Sequence, residues 1–430
     1  MKLKEYINNP GFIKYFKNTS WLLLEKVLRM VTGLLIGVWV ARYLGPNKFG
    51  LFSYVQSFVA IFSVIATVGL DSIVVRELVK NKEKINVLLG TAFRLKFIGA
   101  LTVVLLLAIS MLFSSNDVQT NVLIFIVVGA LIFQSFNVID FYFQSAVISR
   151  FTVYANIVSL SVSSILKIVL ILNQAPLIAF ALVLLFDSIV LSLGYIYIYF
   201  KQGLSIRKWE FDKQIAYKMF KESYPLVIAG VVNSIYMKID QVMIKEIMNT
   251  SEVGVYSAAV RLSEVWFGVG VIICNSLFPS IINAKSVSEE FYYERIRKLF
   301  FFLISISYVL SILVYLLSDF IILTLYGVEF ERSSSILAIH IFSSIFVYLG
   351  VSSGRWLINE NKTLYNLYRN IFGLIINISL NWFLIRSYGI VGVAYASLLA
   401  YIGAFYIFDL FSKDTRKIFI LKTKSLVFLR

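Results

Sequence analysis

The residues of this chain that could do chemistry are charges set inside apolar runs. Glu25, Lys26 and Arg29 stand in WLLLEKVLRMVTGLLIGVWVA, Trp21 to Ala41. That stretch is long enough to cross a bilayer at 1.5 Å rise per residue. A charge near the middle of a lone membrane helix costs about 2.5–3.5 kcal/mol on insertion scales. Spacings of three and four put Glu25, Lys26 and Arg29 on one broad helical face. Such a face is expected to line a wet cavity or to meet partners, not lipid. Glu25 and Arg29 could form an internal pair that only locks packing; one cation is still left over.

Further along, Arg261 and Glu264 are three apart and could neutralise each other. Lys238, Gln241 and Lys245 share one face of their helix, with Asp240 turned away. Lys238 is the deeper of the two lysines, and Lys245 is expected to snorkel. Arg355, Arg94 and Lys96 lie near predicted cytoplasmic helix ends, where snorkelling is expected. Arg355 and Lys238 join Glu25, Lys26, Arg29, Arg261 and Glu264 as candidate substrate-binding residues. Asp71, Arg76 and Asp240 are candidates for a gate or for ion coupling. Glu25, Asp240 and Glu264 are the carboxylates able to take up a proton in a low-dielectric site, and H⁺ or Na⁺ is the expected driving ion. Tyr54, Gln56, Tyr236, Trp266 and Asn275 could contact a sugar.

No catalytic set is present. There is no Gly-rich phosphate loop followed by lysine, so no built-in ATPase is expected. Cys274 and His340 are the only cysteine and histidine, which excludes an internal disulfide and argues against a Cys/His metal site. His340 lies in an apolar run and reads as a packed residue. The chain is expected to be a transporter and not an enzyme, with no cofactor.

The elements that must position these residues are membrane helices. Apolar content of 59% and a mean hydropathy of +0.83 exclude an ordinary soluble domain. Twelve apolar segments are expected, at 18–42, 49–70, 90–113, 120–144, 152–172, 177–200, 222–248, 254–283, 299–318, 335–358, 365–386 and 390–412. Several are joined by short turns, Gly45-Pro46-Asn47, Ser114-Ser115-Asn116-Asp117 and Ser387-Tyr388-Gly389, which makes a bundle of antiparallel helices. Runs of about 20 residues without alternation exclude a β-barrel. Pro10, Pro46, Pro176 and Pro225 are expected before, between or at the start of helices, and Pro279 late in the eighth as a kink. The first segment is too long and too charged for a cleaved signal peptide, so it is expected to be retained.

The net charge of +16 is explained by orientation. With a cytoplasmic N-terminus, 26 of the 40 Lys and Arg fall in cytoplasmic segments, against Arg42, Lys48 and Arg332 opposite. Both termini are therefore expected in the cytoplasm, and no nucleic acid is needed as partner. The chain also repeats weakly. Gly50, Phe52 and Ser53 after the first segment align with Gly254, Tyr256 and Ser257 after the seventh. This predicts an all-α membrane protein of two parallel six-helix bundles, 1–210 and 211–430, with a substrate path between them.

The run NTSWLLLEKVLRMVTGLLIGVWVARYLGPNKFGLFSY followed by GLDSIVVREL, and the later VGVYSAAVRLSEVW followed by SLFPSI, resemble the Wzx-type O-antigen flippases. These belong to the superfamily that also holds the MATE exporters and the lipid II flippases. The resemblance implies a V-shaped pair of six-helix bundles in the bacterial inner membrane. It implies flipping of an undecaprenyl-pyrophosphate-linked sugar repeat from the cytoplasmic to the periplasmic leaflet by alternating access. It implies a charged lumen, carried over to Glu25, Lys26, Arg29 and Arg261, and membrane lipids, a polysaccharide polymerase and a chain-length regulator as partners. Arginine suits a pyrophosphate, because its planar fork makes paired charge-assisted bonds. The alternative is a MATE-like ion-coupled exporter of small molecules, which would want acidic residues in its path.

Overall fold

A computed structural model describes residues 10–112 and 116–428. Lys2, Lys4, Arg430 and the Ser114-Ser115 turn lie outside the described residues. Every regular element among those described is helical. In a bilayer this is the expected solution, since a helix satisfies its own backbone N–H and C=O groups where no water can. Among the described residues, ten helical stretches are long and apolar enough to cross a membrane.

The first helix, α1 (Pro10–Thr67), has 58 residues, far more than the ~20 one crossing needs. It breaks at Gly45, where φ is 68° and ψ 171°. Only glycine adopts such a backbone without strain, and Pro46 then opens the next helical run. The last long helix, α13 (Leu364–Phe405), breaks in the same way at Gly389, with φ 59°. Both breaks fall at turns expected from the sequence.

Between them run α2 (Asp71–Lys80), α3 (Ile85–Leu112), α4 (Val118–Gln134), α5 (Val138–Ser145), α6 (Arg150–Leu172), α7 (Leu177–Lys201), α8 (Lys213–Ile247), α9 (Thr250–Lys285), α10 (Glu289–Leu325), α11 (Ser333–His340) and α12 (Ser343–Asn359). A final α14 (Lys413–Leu426) closes the described chain. Several differ from the apolar segments in an instructive way. Residues 71–80, between the second and third apolar segments, are helical, because Ile73, Val74 and Leu78 give them a face to bury. Pro225 does not start a helix. It lies inside α8, which begins at Lys213 with an amphipathic turn that buries Ala216 and Met219. Likewise α10 begins ten residues before its apolar run, capped by Ser288 Oγ accepting from the Phe291 N–H at 3.0 Å. Hydropathy marks where lipid ends, not where the helix ends.

Two apolar runs that read as continuous are interrupted. The fourth segment is α4, a 3₁₀ turn at Ser135–Asn137, then α5. The tenth is α11, a break at residues 341–342, then α12. The fourth and tenth segments correspond under a six-helix repeat. Helices interrupted at matched positions of two halves are a recurring feature of membrane transporter folds.

The chain forms two compact units, one from residues up to Val40 with Phe58–Val231, the other from Ala41–Ser57 with Val232–Arg430. The first unit has its core around Leu70, Val74, Leu89, Val138, Phe143 and Tyr199. The second is centred on Cys274, Tyr292, Phe300, Leu303, Tyr348 and Trp356. In the second unit the repeated glycines meet. A methyl group on Gly50 would stand 1.7 Å from the Thr250 carbonyl oxygen, and one on Gly254 2.0 Å from that of Pro46. The weak repeat thus marks a backbone-to-backbone crossing.

Helix α14 is anchored to the second unit by a fully buried cluster. Asp409 accepts from Arg369 Nε at 2.9 Å and from Lys422 Nζ at 2.7 Å. Lys422 also donates to the Phe405 carbonyl at 2.6 Å, and Arg369 to Ser353 Oγ at 3.1 Å. The Lys422 ammonium is pushed down to about 7, chiefly by burial; Asp409 opposes this and Arg369 reinforces it. Unfolded, the amine titrates near 10.5.

Two outcomes follow from this packing. Gly50→Ala is expected to cost about 3 kcal/mol or more by overpacking, seen as a lower Tm or loss of the monodisperse size-exclusion peak. Gly33→Ala, with nothing within 4 Å of the added methyl, leaves both unchanged. Between pH 7 and 10.5 the unfolded chain binds a proton that folded Lys422 has released, so this group makes stability rise with pH across that window. Thermal melts from pH 7 to 10 should show a flatter rise in Lys422→Met than in the wild type.

Candidate functional site

In the first unit a cavity of 690 Å³ opens between α1, α2, α3, the broken α4/α5 segment and α7. Small-molecule sites typically occupy ~300–1,000 Å³. The break after Gln134 is what shapes it. Residues 134–145 would otherwise run on as one apolar rod. Here Val138, Ile139 and Phe143 turn into the core while Asn137, Asp140 and Gln144 face the cavity. Gln144 Nε2 donates to Asp140 Oδ2 at 2.7 Å, an i, i+4 pair.

The opposite wall carries Asp71, Arg76 and Lys96. Lys96 does not snorkel. Its side chain is 4% exposed, donates to Asp71 Oδ1 at 3.2 Å and lies over the Phe141 ring at 4.7 Å. The sequence expected a free helix end at this point; α2 occupies it instead and lays Asp71 beside the ammonium. Arg94, by contrast, stacks over Phe211. Arg76 is clamped by two carboxylates, Glu77 at 3.0 Å and Glu222 on α8. Lys218 adds a longer contact of 3.6 Å to Glu77. Asp71 and Arg76, expected together as a gate, do line one cavity, but each is paired with a different partner. The cavity wall therefore holds two cations and two carboxylates, with amides from Gln134, Asn137 and Gln144 between them.

The charged face of the first helix, Glu25, Lys26 and Arg29, expected to line a wet cavity, is not part of this one, which α1 meets only through Ala66 and Thr67. Glu25 and Arg29 form the expected pair, Arg29 Nε to Glu25 Oε1 at 2.8 Å, with Arg29 half exposed. Lys26 is exposed and takes no part in that pair. Tyr195 donates to Asn156 Oδ1 at 2.9 Å.

The second unit gathers the other candidates. Asp240 is buried and caged: it accepts from Tyr256 at 2.7 Å, Asn381 Nδ2 at 2.7 Å and Ser397 at 2.6 Å. Asn381 also donates to Asn377 Oδ1 at 3.1 Å. Among the described residues, Asn381 Oδ1, Ser257 Oγ and Tyr236 Oη are buried without a hydrogen-bond partner. The arrangement is rich in oxygen atoms. His340 is packed, as expected, against Phe267, with Nδ1 2.7 Å from Ser263 Oγ.

Lys238 reaches Glu264 Oε1 at 3.4 Å, so Glu264 pairs across helices and not with Arg261 on its own. Arg261 is half buried and has no ion-pair partner among the described residues. Lys245 pairs with Glu246 at 2.9 Å and lies over the Tyr54 ring. Gln241 accepts from Ser57. Arg355 donates to Asn275 Oδ1 at 2.6 Å.

Asp140, Gln134, Asn137 and Gln144 were not singled out from the sequence, yet the signal was there. They are spaced three, three and four apart inside an apolar run, one polar stripe on one helical face.

The chain matches the family described as Polysaccharide biosynthesis protein over residues 15–285, and the MatE family over 225–383. The probable low-salt glycan biosynthesis flippase Agl15 of Haloferax volcanii is 27% identical over 204 residues, 47% of this chain. The match spans 42% of that relative's length. Among solved structures, the lipid II flippase MurJ in an inward closed conformation aligns with a TM-score of 0.71 at 17% identity, covering 94% of this chain and 90% of that one. A multidrug resistance MATE family transporter in an inward-facing conformation gives 0.69 at 15% identity, covering 92% and 96%. The fold is that of these proteins.

Asp240→Asn is expected to cost about 1–3 kcal/mol, since one amide oxygen cannot accept three donors and its NH₂ meets them head on. Glu264→Gln, which loosens only a half-exposed pair, should shift Tm far less; differential scanning fluorimetry compares the two.

Proposed function

This chain belongs to the Polysaccharide biosynthesis protein family, and on that premise we propose that it is a flippase for lipid-linked glycans. Its substrate is then an undecaprenyl-pyrophosphate-linked repeat of O-antigen type, moved from the cytoplasmic to the periplasmic leaflet of a bacterial inner membrane. The observation that carries this reading is the polar cavity walled by Asp71, Arg76, Lys96 and Asp140 inside an otherwise apolar helical unit. A glycan head-group needs such a wet, hydrogen-bonding surface to leave water, whereas its lipid tail can stay in the bilayer. Amides and carboxylates suit hydroxyl groups.

In this reading the chain crosses the membrane twelve times, in two halves at 1–210 and 211–430, with both termini in the cytoplasm. The positive-inside count supports that orientation. Arg29 and Arg261 are the residues assigned to the pyrophosphate, supported by their charge and their place in the membrane helices. Glu25, Lys26, Lys238, Glu264 and Arg355 stand beside them as head-group contacts. Ion coupling, by H⁺ or Na⁺, is assigned to Asp240, because its carboxylate stands beside the Tyr256 and Ser397 hydroxyl oxygens and the unpartnered Oδ1 of Asn381, a hard-donor set. A polymerase and a chain-length regulator would take the flipped product.

A MATE-like exporter of small cations is the second reading, and the carboxylates Asp71 and Asp140 in the cavity wall are what favour it.

The test is export in a cell whose own flippase is deleted, scored as surface polysaccharide at matched protein level. Wild type should restore export. Arg29→Ala, Arg261→Ala and Asp140→Ala should each lower it about tenfold or more, and Arg29→Lys should recover part of the loss. Normal export by every variant would show the charges to be structural. No export by wild type, together with efflux of cationic drugs, would decide for the second reading.

A further inference from the structure

On the outer face of the first unit, α6 and α7 leave a groove of 440 Å³ between them. It backs onto the helix that carries Tyr195 but shares no residue with the polar cavity. Its floor is the small pair Ala155 and Gly194; a methyl group on Gly194 would already stand 3.2 Å from the Ala155 Cβ. Its rims are Val158 and Tyr197, both more than half exposed. The lining alternates at helical spacing, Phe151, Tyr154, Ala155 and Val158 on α6 against Val190, Gly194, Tyr197 and Ile198 on α7.

One end differs from the rest. Lys201 and Gln202 close the groove at the C-terminal turn of α7. Arg150, the first residue of α6, belongs to the same end because the two helices form an antiparallel hairpin, and its guanidinium sits over the Phe151 ring. Lys201 and Arg150 are exposed, and neither has an ion-pair partner among the described residues. From Val190 to Lys201 the groove runs about 16 Å at 1.5 Å per residue. That is about half of the ~30 Å hydrocarbon core.

We propose that this groove is a binding site for one anionic phospholipid, one of its two acyl chains on the Ala155–Gly194 floor and its phosphate at Lys201 and Arg150. An apolar channel one leaflet deep with a cationic lip matches that molecule in both length and charge. A polyprenyl carrier would outrun it. The occupied groove would press on the backs of Ala155 and Gly194, the direct neighbours of the hydrogen-bonded Asn156 and Tyr195.

The experiment is native mass spectrometry of the purified full-length protein in detergent, titrated with dioleoyl-phosphatidylglycerol or dioleoyl-phosphatidylcholine. Wild type should retain one phosphatidylglycerol, with at least a threefold higher bound fraction than phosphatidylcholine at equal concentration. Val158→Trp, at an exposed position, should fill the groove and abolish that retention while circular dichroism stays unchanged. Lys201→Gln combined with Arg150→Gln should bring the two lipids to equal binding. The site is overturned if wild type holds both lipids equally, if Val158→Trp keeps its phosphatidylglycerol, or if equimolar undecaprenyl phosphate displaces it. None of these outcomes depends on whether the protein exports a glycan.

Discussion

A charge carried into a bilayer must be paired, hydrated or neutralised, and much of this structure is arranged around that requirement. Lys96 is buried and lies against Asp71 and an aromatic ring. Glu264, on α9, is taken by Lys238 of α8. Glu25 holds Arg29 one helical turn away. Asp240 has no ion-pair partner among the described residues and is instead ringed by three hydrogen-bond donors, Tyr256, Asn381 and Ser397. Even near the chain's end, Asp409 is shared by Arg369 and Lys422 with no exposure. Apart from Glu25–Arg29, which lies within one helix, each of these pairings ties one helix to another, so the charges that cost most to insert are also ones that specify packing.

The second organising feature is where helices stop being regular. Gly45 and Gly389 reverse the chain between long helices, since no other residue takes a positive φ there without strain. The 3₁₀ turn at Ser135–Asn137 does something different. It stays within an apolar run and re-aims a polar stripe into a cavity. Its counterpart near Ile341 brings His340 beside Ser263. Membrane helices tolerate such breaks only where protein or a wet cavity satisfies the freed backbone. The breaks and the buried polar groups therefore occur together for one physical reason.

Balanced charge in the cavity of the first unit bears on how a glycan would be held. A strongly cationic wall would bind pyrophosphate tightly and release it slowly. With both cations already occupied by carboxylates, a head-group in this cavity would be held by hydrogen bonding rather than by net charge. Among the described residues the unpaired positive charge near these groups lies on Lys26 and Arg261, one in each unit. The α6–α7 groove adds a surface of the opposite kind, apolar with a basic lip, on the other side of the helix that carries Tyr195.

The amino-acid sequence by itself determined the helical membrane class, the turns at Gly45-Pro46 and Ser387-Tyr388-Gly389, the repeat at Gly50 and Gly254, and the Glu25–Arg29 pair. All of these are local: they depend on hydropathy over about 20 residues, on spacing within one helix, or on a residue's own φ. Only the tertiary structure decided that Glu264 pairs with Lys238 rather than Arg261. It alone decided that Lys96 is buried, that residues 71–80 and 213–221 are helical, that Asp140 lines a cavity, and that Asp240 is caged by Asn381 and Ser397. Those partners stand up to 157 positions apart in the chain. A basic or acidic residue at a helix end reads the same whether it meets water or a neighbour. Which one it meets is set by where the other helices lie, and that is a property of the folded chain.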